Sequence, residues 1–131
     1  MKRILSICIL AFIGNIVWEH AHAFLYVSYK GGEITTFILA RAALFDAVII
    51  GLISLPFLSR CRVKHRFWLL FVLATLVAVG NEWYGLSTFR WVYDASMPVI
   101  PFIKTGITPT LQLGVLAVGG LAITERLFPK E

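Results

Sequence analysis

The sequence predicts an all-α integral membrane protein: a four-helix bundle with both termini cytoplasmic and a longer outer connection between the third and fourth helices. Three observations predict it. The chain is 59% hydrophobic with a mean hydropathy of +0.83, above the soluble norm of roughly half apolar. Four apolar stretches, at about 4–26, 34–55, 67–86 and 107–128, each have the ~20 residues that cross ~30 Å of hydrocarbon. The basic residues gather in the connections between them. The connections are short, so the 131 residues form one membrane domain.

Charge sets the orientation. The net charge of +5 is no sign of nucleic-acid binding, because the cations follow the positive-inside pattern. With the N-terminus inside, Lys2, Arg3, Arg60, Arg62, Lys64, Arg66, Arg126 and Lys130 are cytoplasmic, while Lys30, Arg90 and Lys104 are outside. The run from Arg60 to Arg66 is the strongest determinant and suits anionic headgroups. Cys8 and Cys61 form no CxxC motif, which argues against thiol redox chemistry.

The first stretch carries a polar stripe, Asn15, Glu19, His22 and Tyr26, whose spacing puts all four on one helical face. Such groups are costly in hydrocarbon and should face protein or water. A rival reading takes Met1–Lys2–Arg3, the apolar run and Ala21–His22–Ala23 as a secretory signal with its cleavage site. The apolar character continues through Phe24–Leu25–Tyr26–Val27, which favours a full-length span.

Depth brings the second and third stretches into register with the first. Glu19 and Glu82 each lie ~22 Å from the inner face, and Arg41 lies ~20 Å from it. The three are expected to form an ionic cluster in which the Arg41 fork holds both carboxylates. Asp46 lies near the midplane and is expected either to be protonated or to bond Gln112 or Asn81. His22, Tyr26, Tyr84, Arg90 and Asp94 sit above the layer, toward the outer face.

The connection at 87–106 contains Arg90, Trp91, Tyr93 and Asp94, then Pro98 and Pro101. Aromatic residues prefer the headgroup level and the prolines bar a continuous helix. A loop or short re-entrant segment capping the outer mouth is the expectation. Thr108–Pro109–Thr110 opens the fourth helix, where proline is tolerated in the first turn. Gly114, Gly119 and Gly120 suit close helix packing.

Val17–Trp18–Glu19, Leu25–Tyr26, Asp46–Ala47, Glu82–Trp83, Arg90–Trp91–Val92–Tyr93, Met97–Pro98 and Pro109–Thr110–Leu111–Gln112 together resemble a loosely defined group of small, uncharacterised four-span bacterial inner-membrane proteins. Phe89 stands where glycine is expected in that group. The resemblance implies the architecture and a bacterial inner membrane, and no activity.

Three function classes fit. The leading one is an accessory or assembly subunit of a membrane complex, with the stripe as an interhelical hydrogen-bond network. Its expected company is the lipid bilayer and either a membrane-protein partner or further copies of itself. The second is an enzyme acting on a lipid, quinone or isoprenoid by acid–base chemistry. There Glu19 is the acid or base, His22 its partner and Arg41 an anion stabiliser, with Glu82 a further candidate. Asn15, Tyr26, Asp46, Tyr84, Arg90, Trp91, Tyr93 and Asp94 are the candidate binding residues. The third is a dimeric proton-coupled transporter, since small multidrug resistance proteins also have four spans and an intramembrane Glu in helix 1. Glu19-x-x-His22 has the spacing of helical carboxylate–histidine metal sites, with Glu82 as a further ligand. The chain has no second Glu-x-x-His, so a metal is not favoured, and no cofactor is implied.

Overall fold

A computed structural model describes residues 1–58 and 65–129. Four helices carry the fold: α1 (Lys2–His22), α2 (Thr36–Leu58), α3 (Arg66–Ser87) and α4 (Ile107–Leu127). All four are long and apolar enough to cross a membrane. A two-stranded antiparallel ribbon joins them, with β1 at Tyr26–Tyr29 and β2 at Trp91–Tyr93. Cys61 and the basic run from Arg60 to Lys64 lie outside the described residues.

Helices α1 and α2 pack as one pair and α3 and α4 as another, and α1 joins the pairs by packing on α4. Contact between α2 and α3 is sparse, so the ring of helices is open on that side. The shared core is built from Ile7, Ala11, Ala47, Ile50, Leu70, Ala74, Leu113, Ala117 and Leu121. Small residues let the helix axes approach. A Cβ on Gly114 would lie 2.7 Å from Thr75 Oγ1 and 2.9 Å from the Phe71 ring, so this glycine sets the α3–α4 spacing. Gly119, by contrast, meets nothing within 4 Å.

The polarity of the bundle is inside-out. Asn15, Asp46, Glu82 and Gln112 are buried, while Leu5, Ile9, Ile13, Val17, Leu44, Val48, Leu52 and Leu76 are exposed. At the end holding the α1 N-terminus, the basal end, Glu125 of α4 pairs with Arg3 at 3.5 Å and Arg66 at 2.6 Å. One carboxylate thereby ties three helices.

The first helix departs from the sequence expectation. It stops at His22, turns through one 3₁₀ turn at Ala23–Leu25 and becomes β1, so Tyr26 does not continue the helical stripe. Tyr-Val-Ser-Tyr is a β-favouring segment. It is followed by a reversal in which Lys30 (φ 48°) and Gly31 (φ 76°) are left-handed. Pairing with β2 then satisfies the backbone groups that leave the helix. The α2 boundary also moves. Thr35 Oγ1 accepts the Ile38 N–H at 3.3 Å, an N-cap that starts the helix two residues late. The helix runs past Pro56 to Leu58, since a proline in the last turn removes only one donor.

The connection at 87–106 likewise contains a strand where the sequence predicts a loop or short re-entrant segment. Register pairs Tyr26 with Tyr93, Ser28 with Val92 and Tyr29 with Trp91. The chain enters β2 through a Schellman closure of α3. The Arg90 N–H donates to Gly85 O at 2.9 Å and the Phe89 N–H to Leu86 O at 3.3 Å. That motif puts Phe89 in the left-handed region, φ 54°, where glycine is the usual residue.

Candidate functional site

Gln112, on α4, is the hub of the interior. Its Nε2 lies 2.8 Å from Asn15 Oδ1, 2.7 Å from Glu19 Oε1 and 3.2 Å from Asp46 Oδ2. One amide nitrogen with two hydrogens therefore serves three oxygens from α1 and α2. Asn15 is fully buried and turns its own Nδ2 to Ala11 O at 2.8 Å, which orients its oxygen toward Gln112. His22 stands behind Glu19. Its Nε2 is 3.4 Å from Glu19 Oε2 and its Nδ1 is 3.2 Å from Thr108 Oγ1.

A second node forms around Glu82, on α3. The ribbon brings it two donors on the same oxygen, Oε2: Trp91 Nε1 at 3.3 Å and the Tyr93 hydroxyl at short range. Tyr93 Oη also accepts the Gly106 N–H at 2.9 Å. Burial, and then the Glu82 carboxylate, push the Tyr93 phenol above its ordinary value, so it is the donor in this bond. Tyr26 is raised for the same two reasons. Its ring packs edge-on against His22 and Tyr93, each with centroids 5.4 Å apart.

Between the two nodes lies a cavity of about 380 Å³. Glu19, Tyr26, Asp46, Glu82, Trp91 and Gln112 line it, together with Tyr29, Lys30, Arg41, Tyr84 and Arg90. Its mouth is at the sparse α2–α3 side, where the exposed Phe45 and Tyr84 belong to the lining. Glu82 Oε1 and Asp46 Oδ1 accept no hydrogen bond among the described residues, although both side chains are at most 9% exposed. Rigidly held carboxylates with one oxygen open to a cavity can take or give a proton to a bound hydroxyl or carbonyl.

The structure gathers most of the sequence candidates and departs from the expectation at two. The ionic cluster does not form. Arg41 makes no salt bridge with Glu19 or Glu82 and instead donates from Nη2 to Tyr29 Oη at 2.7 Å. Its guanidinium is exposed at the mouth because the long side chain leans outward over the Tyr29 ring. Asp46 bonds Gln112, one of its two expected partners. Asp94 is not part of the cavity lining. It accepts the Ser96 N–H at 2.9 Å and the Ser96 hydroxyl at 2.8 Å, which hold its carboxyl below the usual range. Asn15, His22 and Tyr93 stand behind the lining and position it.

The sequence reading missed Gln112 as a hub, took Lys30 only as an outer cation, and missed Tyr29 altogether. Thr108 and Gln112 are four apart in an apolar stretch, a polar stripe on α4 that matches the one on α1. Tyr29 and Lys30 carry no comparable signal, because β1 places them. Among the described residues no three His, Cys, Asp or Glu side chains are grouped to hold a metal ion. No protein-family model, curated protein or solved structure matches this chain.

Proposed function

We propose that this is an integral protein of a bacterial cytoplasmic membrane, with both termini inside, that binds an amphipathic molecule in its cavity. The ligand class is a lipid, quinone or isoprenoid, and the chemistry offered to it is acid–base. Membrane insertion is supported by the four apolar helices and the inside-out polarity. Orientation is supported by the sequence, in which the second connection and the two terminal segments carry most of the Lys and Arg.

The observation that carries the binding reading is the space itself. A polar network used only for packing closes on itself. Here Glu82 and Asp46 each keep an oxygen open to a cavity of about 380 Å³, within the size range of small-molecule sites. The accessory-subunit reading accounts for the Gln112 network and leaves this space unexplained. A transporter needs a path to both faces, and Ile50, Leu70, Ala74 and Ala117 pack the bundle toward the basal end. Glu82, with its open oxygen, is the preferred acid–base residue, and Glu19 is its neighbour in the site.

The test is native mass spectrometry of the protein gently extracted from its own membrane. One co-purifying amphiphile is expected, lost in Ala42→Trp, which fills the cavity mouth. A chain that carries no ligand but holds a partner subunit would overturn the binding reading in favour of an accessory role.

A further inference from the structure

We infer that the ligand is a phosphate-bearing lipid whose phosphoryl group sits between Arg41 and Arg90 at the cavity mouth. This rests on the binding reading above and names the ligand's head.

Three cations line the cavity: Lys30, Arg41 and Arg90. None of them forms a salt bridge among the described residues, although three carboxylates share the same cavity. Those carboxylates are engaged by groups other than the three cations: Glu19 by Gln112 and His22, Asp46 by Gln112, and Glu82 by Trp91 and Tyr93. The cations are instead held by aromatic faces. Arg41 lies 5.6 Å from the Tyr29 ring centre and Lys30 5.7 Å, and Arg90 lies 5.2 Å from that of Tyr84. The Lys30 N–H donates to Arg90 O at 2.6 Å, which fixes two of the cation-bearing residues side by side.

The cavity is therefore bipolar, with free cations at the mouth and hydrogen-bonded acids at the floor. Arg41 spends one of five N–H donors on Tyr29, and the rest of its fork is available. Planar forks facing a common space suit an anion with several oxygens, and phosphate is the common one. The source is a lipid because the mouth lies at the open α2–α3 side, where the exposed Phe45 offers an apolar exit for a tail.

The experiment titrates the full chain in detergent with dioleoylphosphatidic acid or dioleoylglycerol and counts bound lipid by native mass spectrometry. One phosphatidic acid is expected to bind, at least about tenfold more tightly than the diacylglycerol. Arg41→Gln with Arg90→Gln should weaken it by a similar factor, while Lys104→Gln, away from the cavity, should leave it unchanged. Inorganic phosphate at matched concentration should not displace it, because the tail adds affinity. Should the double variant lose its helical circular dichroism, the two single variants carry the comparison. Equal binding of both lipids, both lost in Ala42→Trp, would overturn the phosphate inference and leave the cavity reading standing. Binding of neither would overturn the phosphate inference, and the cavity reading would then be decided by whether a native amphiphile co-purifies. Displacement by inorganic phosphate would overturn the lipid as the source, and loss in Lys104→Gln would mark surface adsorption and overturn the site.

Discussion

Tyr93 donates its hydroxyl proton to Glu82 Oε2, and through that bond the ribbon is latched to the middle of the polar interior. The same oxygen of Tyr93 accepts the N–H of Gly106, the residue before α4, at 2.9 Å. One phenol therefore joins β2, α3 and the start of α4. Tyr93→Phe should cost about 1–3 kcal/mol, the range for a hydrogen bond to an ionisable group. Hydrogen exchange is the direct measurement: the β1 and β2 amides should exchange faster, while amides in the middle of α1 keep their protection.

The latch also has a pH signature. An ordinary tyrosine ionises near ~10. Burial and the Glu82 carboxylate raise Tyr93 above that value, and burial with Glu82 raises Tyr26. Below the unfolded value both states hold their phenolic protons, and the contribution is fully present. As pH rises beyond it, the unfolded phenols ionise first and stability is lost. The thermal midpoint should fall above pH ~10, and the fall should be shallower in Tyr93→Phe.

Gln112→Leu should be among the most destabilising substitutions in the bundle. It keeps the approximate volume and removes the donor shared by Asn15, Glu19 and Asp46. Three acceptors, two of them buried, then lose a partner, at a cost of about 2–4 kcal/mol in total. Unfolding in denaturing detergent would show it. Gln112→Glu, which supplies no donor when ionised, should be no better.

Trp91 lies flat against Gly85, so close that any Cβ there would collide with its indole ring. Gly85→Ala should displace the ring, break its bond to Glu82 and cost about 1–3 kcal/mol. Trp91 fluorescence should shift to longer wavelength as the indole reaches water. Gly80→Ala, where a Cβ meets nothing within 4 Å, is the control.

Phe89→Gly should be stabilising. Phe89 has φ 54° at the Schellman position after α3, and its side chain is 79% exposed. Relief of left-handed strain is worth ~1–2 kcal/mol, offset in part by the added chain entropy of glycine. A net gain of about 0.5–1 kcal/mol is expected, read as a rise in the thermal midpoint. A lowered midpoint would mean that the ring itself contributes at this surface.

Much of the architecture is legible in the chain because hydrocarbon imposes a simple length and composition on a helix. Helices α3 and α4 begin and end within a residue or two of their apolar stretches. The helical stripe on α1 correctly brings Asn15, Glu19 and His22 into one network. Tyr26 reaches the same site by another route, because hydrophobicity cannot distinguish the last turn of a span from a strand that leaves it. Depth placed Arg41 level with the two glutamates, but depth says nothing of the direction in which a long side chain leans. Arg41 turned to Tyr29, a residue that only strand pairing puts within reach.

By itself, then, the sequence determined four apolar helices and a set of buried polar groups that must find partners, since length and desolvation are local properties of the chain. Tertiary structure alone decided which partners they found. Gln112 became the hub because α4 lies across α1, and Glu82 gained Trp91 and Tyr93 because the ribbon folds back over α3. The cavity exists because α2 and α3 stand apart. Each of these depends on the relative placement of segments distant along the chain, which no local spacing encodes.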